Sequence, residues 1–485
     1  MSDTTPLARL IVPAIRWDRS YGFSYLDGLV AESLELGVGG FVIEGGPRDA
    51  VQACIERLRR DSPHALLIAL LAEAGVGQHV EGATCLPPLG AIAAAAALRD
   101  AGGAFALDLD AVRRSARICA LDARSLGANW LIGPDGTLTG RRDASDHGIR
   151  SAGHDPAMVR ETIAEWVDAC QAEQVMACIG DFPGAVRGNE SIAAVRTSHL
   201  QPFVGAVDAG VSSVMASAAE LSALGAANGA MRSSAVVAQL LRSDLGYDGL
   251  VTTPVLDRCA SLDASSEPAA VVDAIIAGCD VVLAPSDVSG ANDALANAHR
   301  SGVLPDARAR DALARVERLS AWMRPGNAAS VSLDDRMWAR QLADRAVSWV
   351  SGARPRVGLE AELVLATAPA LVPPTADTLV TSLDAMHVTT TVSSQPSGAL
   401  RVPLIVALMT TDTTGFAVPR EVIERARSWA SAAAAAGREA AIVVCAHPEV
   451  ARAFPGSGNV LCAWSGDRAM QEAAARALVN AAGRA

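Results

Sequence analysis

Lysine is missing from this chain: all 41 basic residues among its 485 are arginine. Codon bias in a GC-rich genome is the simplest origin. The chemical consequence holds regardless: no lysine is available for a Schiff base or as a hydrogen-bond donor. Basic charge is also short overall, with 53 acidic residues giving a net charge of −12. That excludes a nucleic-acid surface, which needs a basic stripe to replace the counterions on phosphates. It likewise excludes adhesion to anionic lipid. Aromatic residues make up only 4%. No C-x-x-C pair occurs among the nine cysteines. Cys178, Cys259, Cys279 and Cys445 sit in apolar runs and read as buried free thiols in a reducing compartment. Long apolar runs are absent too; stretches such as Ala65–Ala72 are too short to span a bilayer. Met1–Arg16 has no charged segment leading into a long apolar core, so a cytoplasmic location and no membrane contact are expected. No His/Asp/Glu/Cys spacing suits a metal, and neither H-E-x-x-H nor a nucleophile elbow is present. No cofactor is implied.

What is present is a soluble composition, half apolar and 19% charged, long enough for two or three domains. Short, nearly continuous apolar runs recur: Leu10–Ile15, Gly40–Ile43, Leu66–Leu71, Trp130–Ile132, Val175–Ile179, Ser213–Ala216, Leu250–Thr253 and Val281–Ala284. Such runs suit parallel strands covered on both faces. Helical patterns lie between them at Tyr25–Leu36, Arg48–Arg60, Leu109–Leu126, Pro156–Ala172, Ser233–Leu245 and Ala269–Ala277. The alternation predicts an α/β fold, a (β/α)₈ TIM-type barrel over 1–325. The glycines Gly75, Gly77 and Gly82 follow the third run, the wrong place for a dinucleotide fingerprint. A linker is expected at 326–332, then a smaller α/β sandwich domain over 333–485. Its helices are expected at Leu333–Val350, Pro419–Ala435 and Asp467–Ala482. Its strands are expected at Leu363–Ala366, Val388–Val392, Leu404–Leu408, Ala441–Cys445 and Val460–Ala463. The Pro/Thr-rich stretch Ala368–Ser382 reads as an exposed loop.

In such a barrel the working residues stand at the C-terminal strand ends. Several segments there share a pattern: GVGGFVIEGG (37–46), LLIALLAEAGVGQ (66–78), LGANWLIGPDG (126–136), IRSAGHDPAMV (149–159), MACIGDFPG (176–184), QPFVGAVDAGVSSVMAS (201–217) and LLRSDLGYDGLVTTPVLD (240–257). In this order they resemble glycoside hydrolase family 3, in particular its β-N-acetylhexosaminidase-like branch, over about residues 8–325. The trailing α/β domain also matches an arrangement seen in that family.

The resemblance implies a set of reacting positions, and the chain departs from most of them. The sugar-binding aspartate of the third strand corresponds to Leu71, with Glu73 nearby. The Lys-His pair of the fifth strand corresponds to Gly180 and Asp181. The loop that carries a His–Asp acid/base dyad in the family corresponds to Ala185–Ser198, which is shortened and has neither residue. The sixth-strand histidine becomes Ala218, and the nucleophilic aspartate of the seventh strand becomes Pro254. Arg150 and Ser151 remain in a motif that contributes a substrate contact, and His79 is a third substrate-binding candidate. Retaining hydrolysis needs a carboxylate nucleophile and a proton donor, roughly 5 Å apart when both are carboxyls. Proline has no side-chain heteroatom and cannot attack an anomeric carbon.

Three readings stay open. The chain is a catalytically degenerate member whose barrel binds a glycan or a protein partner. Alternatively it is an active O-glycosyl hydrolase with relocated carboxylates, using Asp181 with Glu73 or Asp257. The third is a structural subunit of an active paralogue. Against the second, Asp181 reads equally as a turn cap or a partner of Arg150, and Asp257 as a helix N-cap. Glu44 ends the second strand. His79 and His154 read as structural, and His199 as solvent-facing. Trp17 and Trp130 stand near strand ends, where either sugar stacking or core packing is open to them. The Asn189-Glu190-Ser191 triplet matches a glycosylation acceptor without functional weight in an unsecreted chain.

Overall fold

The computed structural model describes residues 5–99, 105–139, 148–186, 190–221, 224–259, 261–322, 330–352, 355, 357–368, 375–410, 418–454 and 459–480. The chain forms two compact units. The first comprises 1–84, 109–138 and 155–331; the second comprises 85–108, 139–154 and 332–485. The two inner segments of the second unit lie within the span 1–325 that the sequence pattern assigns to the barrel. Both are connections that follow barrel strands, the places where this architecture accepts extra chain. Residues 326–329 of the expected linker lie outside the described residues, as does Asn189.

The first unit is a closed ring of parallel strands. Strand β1 comes in two pieces, Ile11–Val12 and Ala14–Arg16, and is followed by β2 (Gly40–Glu44), β3 (Leu67–Leu71), β4 (Trp130–Asp135), β5 (Met176–Phe182), β6 (Ser213–Ala216), β7 (Leu250–Val255) and β8 (Val281–Leu283). Pro13 splits β1 because it has no amide hydrogen for a ladder. The first piece pairs with β8 (Ile11↔Val282) and the second with β2 (Ala14↔Val42), which closes the ring. Every strand pair is parallel. β4 and β6 are separated by β5, yet Trp130 Nε1 donates to Ser213 Oγ at 2.8 Å. Their side chains therefore meet across the lumen, and the barrel centre is packed, not open.

Helices follow most strands as the apolar periodicity requires. Leu109–Leu126 and Pro156–Ala172 fall on their expected bounds. Asp155 caps the latter, its carboxylate accepting from Ala157 N and Met158 N at 3.0 Å each. The expected helix at 233–245 is a wider, π-type helix over Ala235–Asp244, where Gln239 N donates to Ser234 O five residues back. Helices Val288–Arg300 and Asp306–Trp322 have no counterpart in the sequence expectation.

The second unit holds a six-stranded sheet: β9 (Ser348–Ser351), β10 (Glu360–Ala366), β11 (Thr389–Ser393), β12 (Leu404–Met409), β13 (Ala440–Cys445) and β14 (Asn459–Cys462), in the order β9-β14-β13-β12-β10-β11. The period-2 alternation sorts its side chains into two cores. Leu363, Ile405, Val443 and Leu461 pack with Leu379, Leu383 and Leu478 on one face. Val364, Val406, Ile442 and Val460 pack with Val422 and Ala426 on the other. Helices on both faces make this an α/β sandwich.

Two expectations fail here. The helix begun at Leu333 ends at Ala346, and Ser348–Ser351 turns into an edge strand antiparallel to β14. β-branched Val347 and Val350 favour that change. The stretch expected to be loop at 368–382 enters the helix Asp377–Ala385, whose Leu379 and Leu383 are fully buried; that burial outweighs the turn-like composition.

Candidate functional site

The C-terminal strand ends of the first unit collect its candidate residues. Arg16 ends β1 and Glu44 ends β2, side by side in register. Arg16 Nε donates to Glu44 Oε2 at 3.0 Å. The same guanidinium reaches Asp257, just after β7, through Nη1 to Oδ2 at 2.5 Å and Nη2 to Oδ1 at 3.0 Å. Arg258 Nη2 donates to Glu44 Oε2 from the other side. Glu44 is only 7% exposed, so its charge is sustained by these two arginines. Four side chains from β1, β2 and the β7 end thus form one charge-neutral network. Asp257 is not an N-cap: Val255 holds that position before the short helical turn Leu256–Arg258, and the Asp257 carboxylate pairs with Arg16.

Pro254 lies inside β7, half-buried. The neighbouring Thr253 hydroxyl donates to Pro254 O at 2.8 Å and accepts from Leu283 N at 3.0 Å, which commits it to the backbone. Leu71 ends β3 and Glu73 follows it, both half-buried. Gly180 and Asp181 lie in β5 with a cis peptide between them. Asp181 O accepts from Gly184 N at 2.6 Å, so the backbone makes the turn there. Ala218 follows β6, and its carbonyl carbon would stand 3.3 Å from a Cβ on Gly229. His79 ends the short turn Val76–Gln78, its amide donating to Val76 O at 3.2 Å. Arg150 and Ser151 lie in 139–154, a segment of the second unit, where Ser151 Oγ donates to Gly153 O at 3.1 Å.

Two carboxylates of this region have structural partners. Glu267 accepts from Ser286 N at 2.7 Å and Ser286 Oγ at 2.8 Å. Asp135, buried at the end of β4, accepts from Thr137 N at 2.9 Å and Thr137 Oγ1 at 2.7 Å. The Cys259 thiol is pushed up to about 11, by burial first and then by the charges of Asp181, Glu267 and Asp257. It stays protonated and is a poor nucleophile at neutral pH. Among the described residues no group of three or more His, Cys, Asp or Glu is arranged to hold a metal ion.

One sequence expectation changes, and the two tryptophans that were left open find their packing. His199 does not face solvent: it is 14% exposed, and its Nε2 lies 2.8 Å from Glu190 Oε2. Trp17 packs edge to face on Phe23 with centroids 5.0 Å apart, and its ring fills the space over Gly46 (φ +101°), where a Cβ would stand 3.1 Å from it. Trp130 is fully buried in the lumen. Trp130 is therefore not placed to stack on a sugar, and Trp17 is half-buried. Arg16 and Arg258, absent from the sequence candidates, prove central to the network. A signal for Arg16 was available, since a charge terminating the apolar run 10–15 stands where Glu44 stands on β2.

The model of the glycosyl hydrolase family 3 N-terminal domain matches residues 31–319. A beta-N-acetylglucosaminidase/beta-glucosidase of Cellulomonas fimi is 28% identical over 309 residues, 59% of this chain and 52% of that protein. The chain therefore spans about half the length of that relative. A beta-hexosaminidase of Xanthomonas oryzae pv. oryzae is 28% identical over 251 residues, 49% of this chain and 72% of the relative. Among solved structures, a family 3 beta-N-acetylglucosaminidase from Paenibacillus sp. str. FPU-7 superposes with a TM-score of 0.81 at 20% identity. That superposition covers 99% of this chain and 97% of the other, and it bears on the fold.

Proposed function

The chain belongs to glycosyl hydrolase family 3, and we propose that within it this protein is a carbohydrate-binding member without the family's retaining hydrolysis. The observation that carries the reading is Pro254 inside β7, at the position where the resemblance implies a nucleophilic aspartate. No atom of that side chain can form a glycosyl intermediate. Thr253 beside it is committed to Pro254 O and Leu283 N. Asp257 accepts from both terminal nitrogens of Arg16, one at each carboxylate oxygen, an orientation that serves the ion pair and not attack on a sugar. Of the other family positions, Leu71, Gly180 and Ala218 offer no acid or base, since two are apolar and one has no side chain, and Asp181 alone carries a carboxyl. Losing general acid/base catalysis alone costs about 10²–10⁴-fold, and here the nucleophile is missing as well.

A second reading draws on one observation: Asp181 stands near the end of β5 and Asp257 just after β7, so two carboxylates lie at the same end of the barrel. In it, relocated acids such as Asp181 with Glu73 or Asp257 hydrolyse an O-glycoside, with carboxyls about 6.5–9.5 Å apart as in an inverting pair. The full chain incubated with p-nitrophenyl N-acetyl-β-D-glucosaminide and p-nitrophenyl β-D-glucoside separates the two. The expected result is release at the uncatalysed rate. Turnover that disappears in Asp181→Ala would overturn the binding reading in favour of the second.

A further inference from the structure

The whole sequence has 3 Tyr, 7 Phe and 8 Trp. Trp17, Tyr21, Phe23 and Tyr25 fall together on the connection from β1 to the helix Asp27–Leu36. That connection leaves the C-terminal end of β1, beside the Arg16–Glu44–Asp257 network. Trp17 and Phe23 form its packed base. Tyr21 and Tyr25 are open to solvent, 71% and 52% exposed. Tyr247, the third tyrosine, behaves as a buried tyrosine should, donating its hydroxyl to Leu250 O at 3.0 Å.

The loop is held in place before any ligand arrives. Asp18 N donates to Gly22 O at 3.0 Å and Gly22 N to Asp18 O at 2.8 Å, a tight hairpin. The Asp18 carboxylate accepts from Ser20 N at 2.8 Å and Tyr21 N at 2.9 Å. Ser24 Oγ donates to Tyr21 O at 2.7 Å, and Trp17 N donates to Glu44 O at 2.9 Å. A preorganised backbone presenting rings with only two side-chain torsions lowers the ordering cost of binding.

The surroundings select the ligand. Arg19, Ser20 and Ser24 around the rings are exposed and polar, which leaves too little contiguous apolar surface for a stable protein interface. A pyranose instead has an apolar C–H face that fits a tyrosine ring and a rim of hydroxyls that fits a bidentate carboxylate and guanidinium. Arg16 is 31% and Asp257 21% exposed, so both keep hydrogen-bonding capacity toward solvent.

We propose that the β1 loop is a sugar-stacking platform: Tyr21 and Tyr25 take the apolar faces of pyranose rings while Arg16 and Asp257 hydrogen-bond their hydroxyls. The platform rests on the reading of this barrel as carbohydrate-binding, and it names the residues that do the binding. Isothermal titration of the full chain with triacetylchitotriose and with cellotriose tests it. The expected result is millimolar or tighter binding of at least one sugar, weakened roughly three- to tenfold by Tyr21→Ala and by Tyr25→Ala, as loss of one aromatic contact implies. Tyr21→Phe retains the affinity, because the face and not the hydroxyl makes the contact. Both side chains are exposed, so the variants keep the fold. Binding that is equal in the wild type and both alanine variants overturns the platform and leaves the carbohydrate reading standing. No binding of either sugar at millimolar concentration overturns both. A Tyr21→Ala variant that changes only the oligomeric state in size exclusion makes the loop a protein contact and overturns the platform.

Discussion

Glu44 shows how burial sets the value of an ion pair in this protein. Its carboxylate is buried and meets Arg16 and Arg258, while Arg16 is 31% and Arg258 54% exposed. Removing one partner of a fully buried pair costs about 3–5 kcal/mol, because the survivor is left charged without compensation. The survivors here are partly wet arginines, which discounts the cost to roughly 1–3 kcal/mol for Glu44→Gln. The outer pair Arg420–Glu424, 89% and 54% exposed, is the control; Arg420→Ala should stay within about 0.5 kcal/mol of wild type. Urea unfolding of the three proteins measures the difference, and equal midpoints would show that the Glu44 network carries no stability. Glu44 and Asp257 were visible in the sequence as charges at strand ends. Their partners were hidden because Arg16 and Asp257 are 241 residues apart, a separation that only ring closure between β8 and β1 brings together. The same blindness made His199 look solvent-facing: Glu190 sits nine positions earlier, and nothing in the spacing says that the two meet across the short helix Ile192–Thr197.

At the scale of elements, β13 of the second unit ends in a device that titrates. His447 follows Cys445 and caps the helix Pro448–Arg452, its Nδ1 accepting from Glu449 N at 3.2 Å. The ring packs edge to face with Trp464 at 6.0 Å. Burial, and then the charge of Arg452, push the imidazole from its ordinary 6.5 down to about 4. The folded protein therefore prefers the neutral ring, whose bare Nδ1 is what the cap requires. Between pH 6.5 and 4 the unfolded chain binds a proton that the folded chain refuses, so stability falls as pH falls through that window. Above 6.5 the contribution is flat, and the total loss is at most about 3 kcal/mol. His447→Asn keeps a capping acceptor without a titrating ring. Its unfolding midpoint should lose the part of the acid slope due to this residue; an unchanged slope between pH 6.5 and 4 would exclude His447 as the source. Element type was legible where period and length agreed, as in the barrel strands and the helix Leu109–Leu126. It failed where packing overrode composition, at Asp377–Ala385, and where a helix pattern ran into β-branched residues, at Ser348–Ser351.

On the proposed carbohydrate-binding reading, the most deeply buried charge of the barrel and its sugar-binding charge lie at opposite ends of its axis, and the division can be measured. Asp280 lies just before β8, at the end opposite the Arg16 network, and is fully buried. It accepts from Arg242 Nη2 at 2.6 Å, Arg308 Nη2 at 2.7 Å and Val251 N at 2.9 Å. Those arginines are only 15% exposed each, so the discount that applied at Glu44 does not apply here. Asp280→Ala takes the shared carboxylate from two largely enclosed guanidiniums, of which Arg308 keeps Asp311, and should cost the first unit roughly 2–4 kcal/mol. Charge at this end of a barrel bears on the fold, whereas charge at the strands' C-terminal ends bears on ligands. The two ends should therefore respond in opposite ways. Asp280→Ala lowers the denaturant midpoint and leaves the affinity for triacetylchitotriose or cellotriose of the protein that remains folded unchanged. Asp257→Ala weakens sugar binding at a smaller cost in stability, because Arg16 keeps Glu44. A matched pair of titrations, one with urea and one with sugar, reads both quantities on both variants. Loss of affinity in folded Asp280→Ala, or full affinity in Asp257→Ala, would show that binding is not confined to the end where the strands finish.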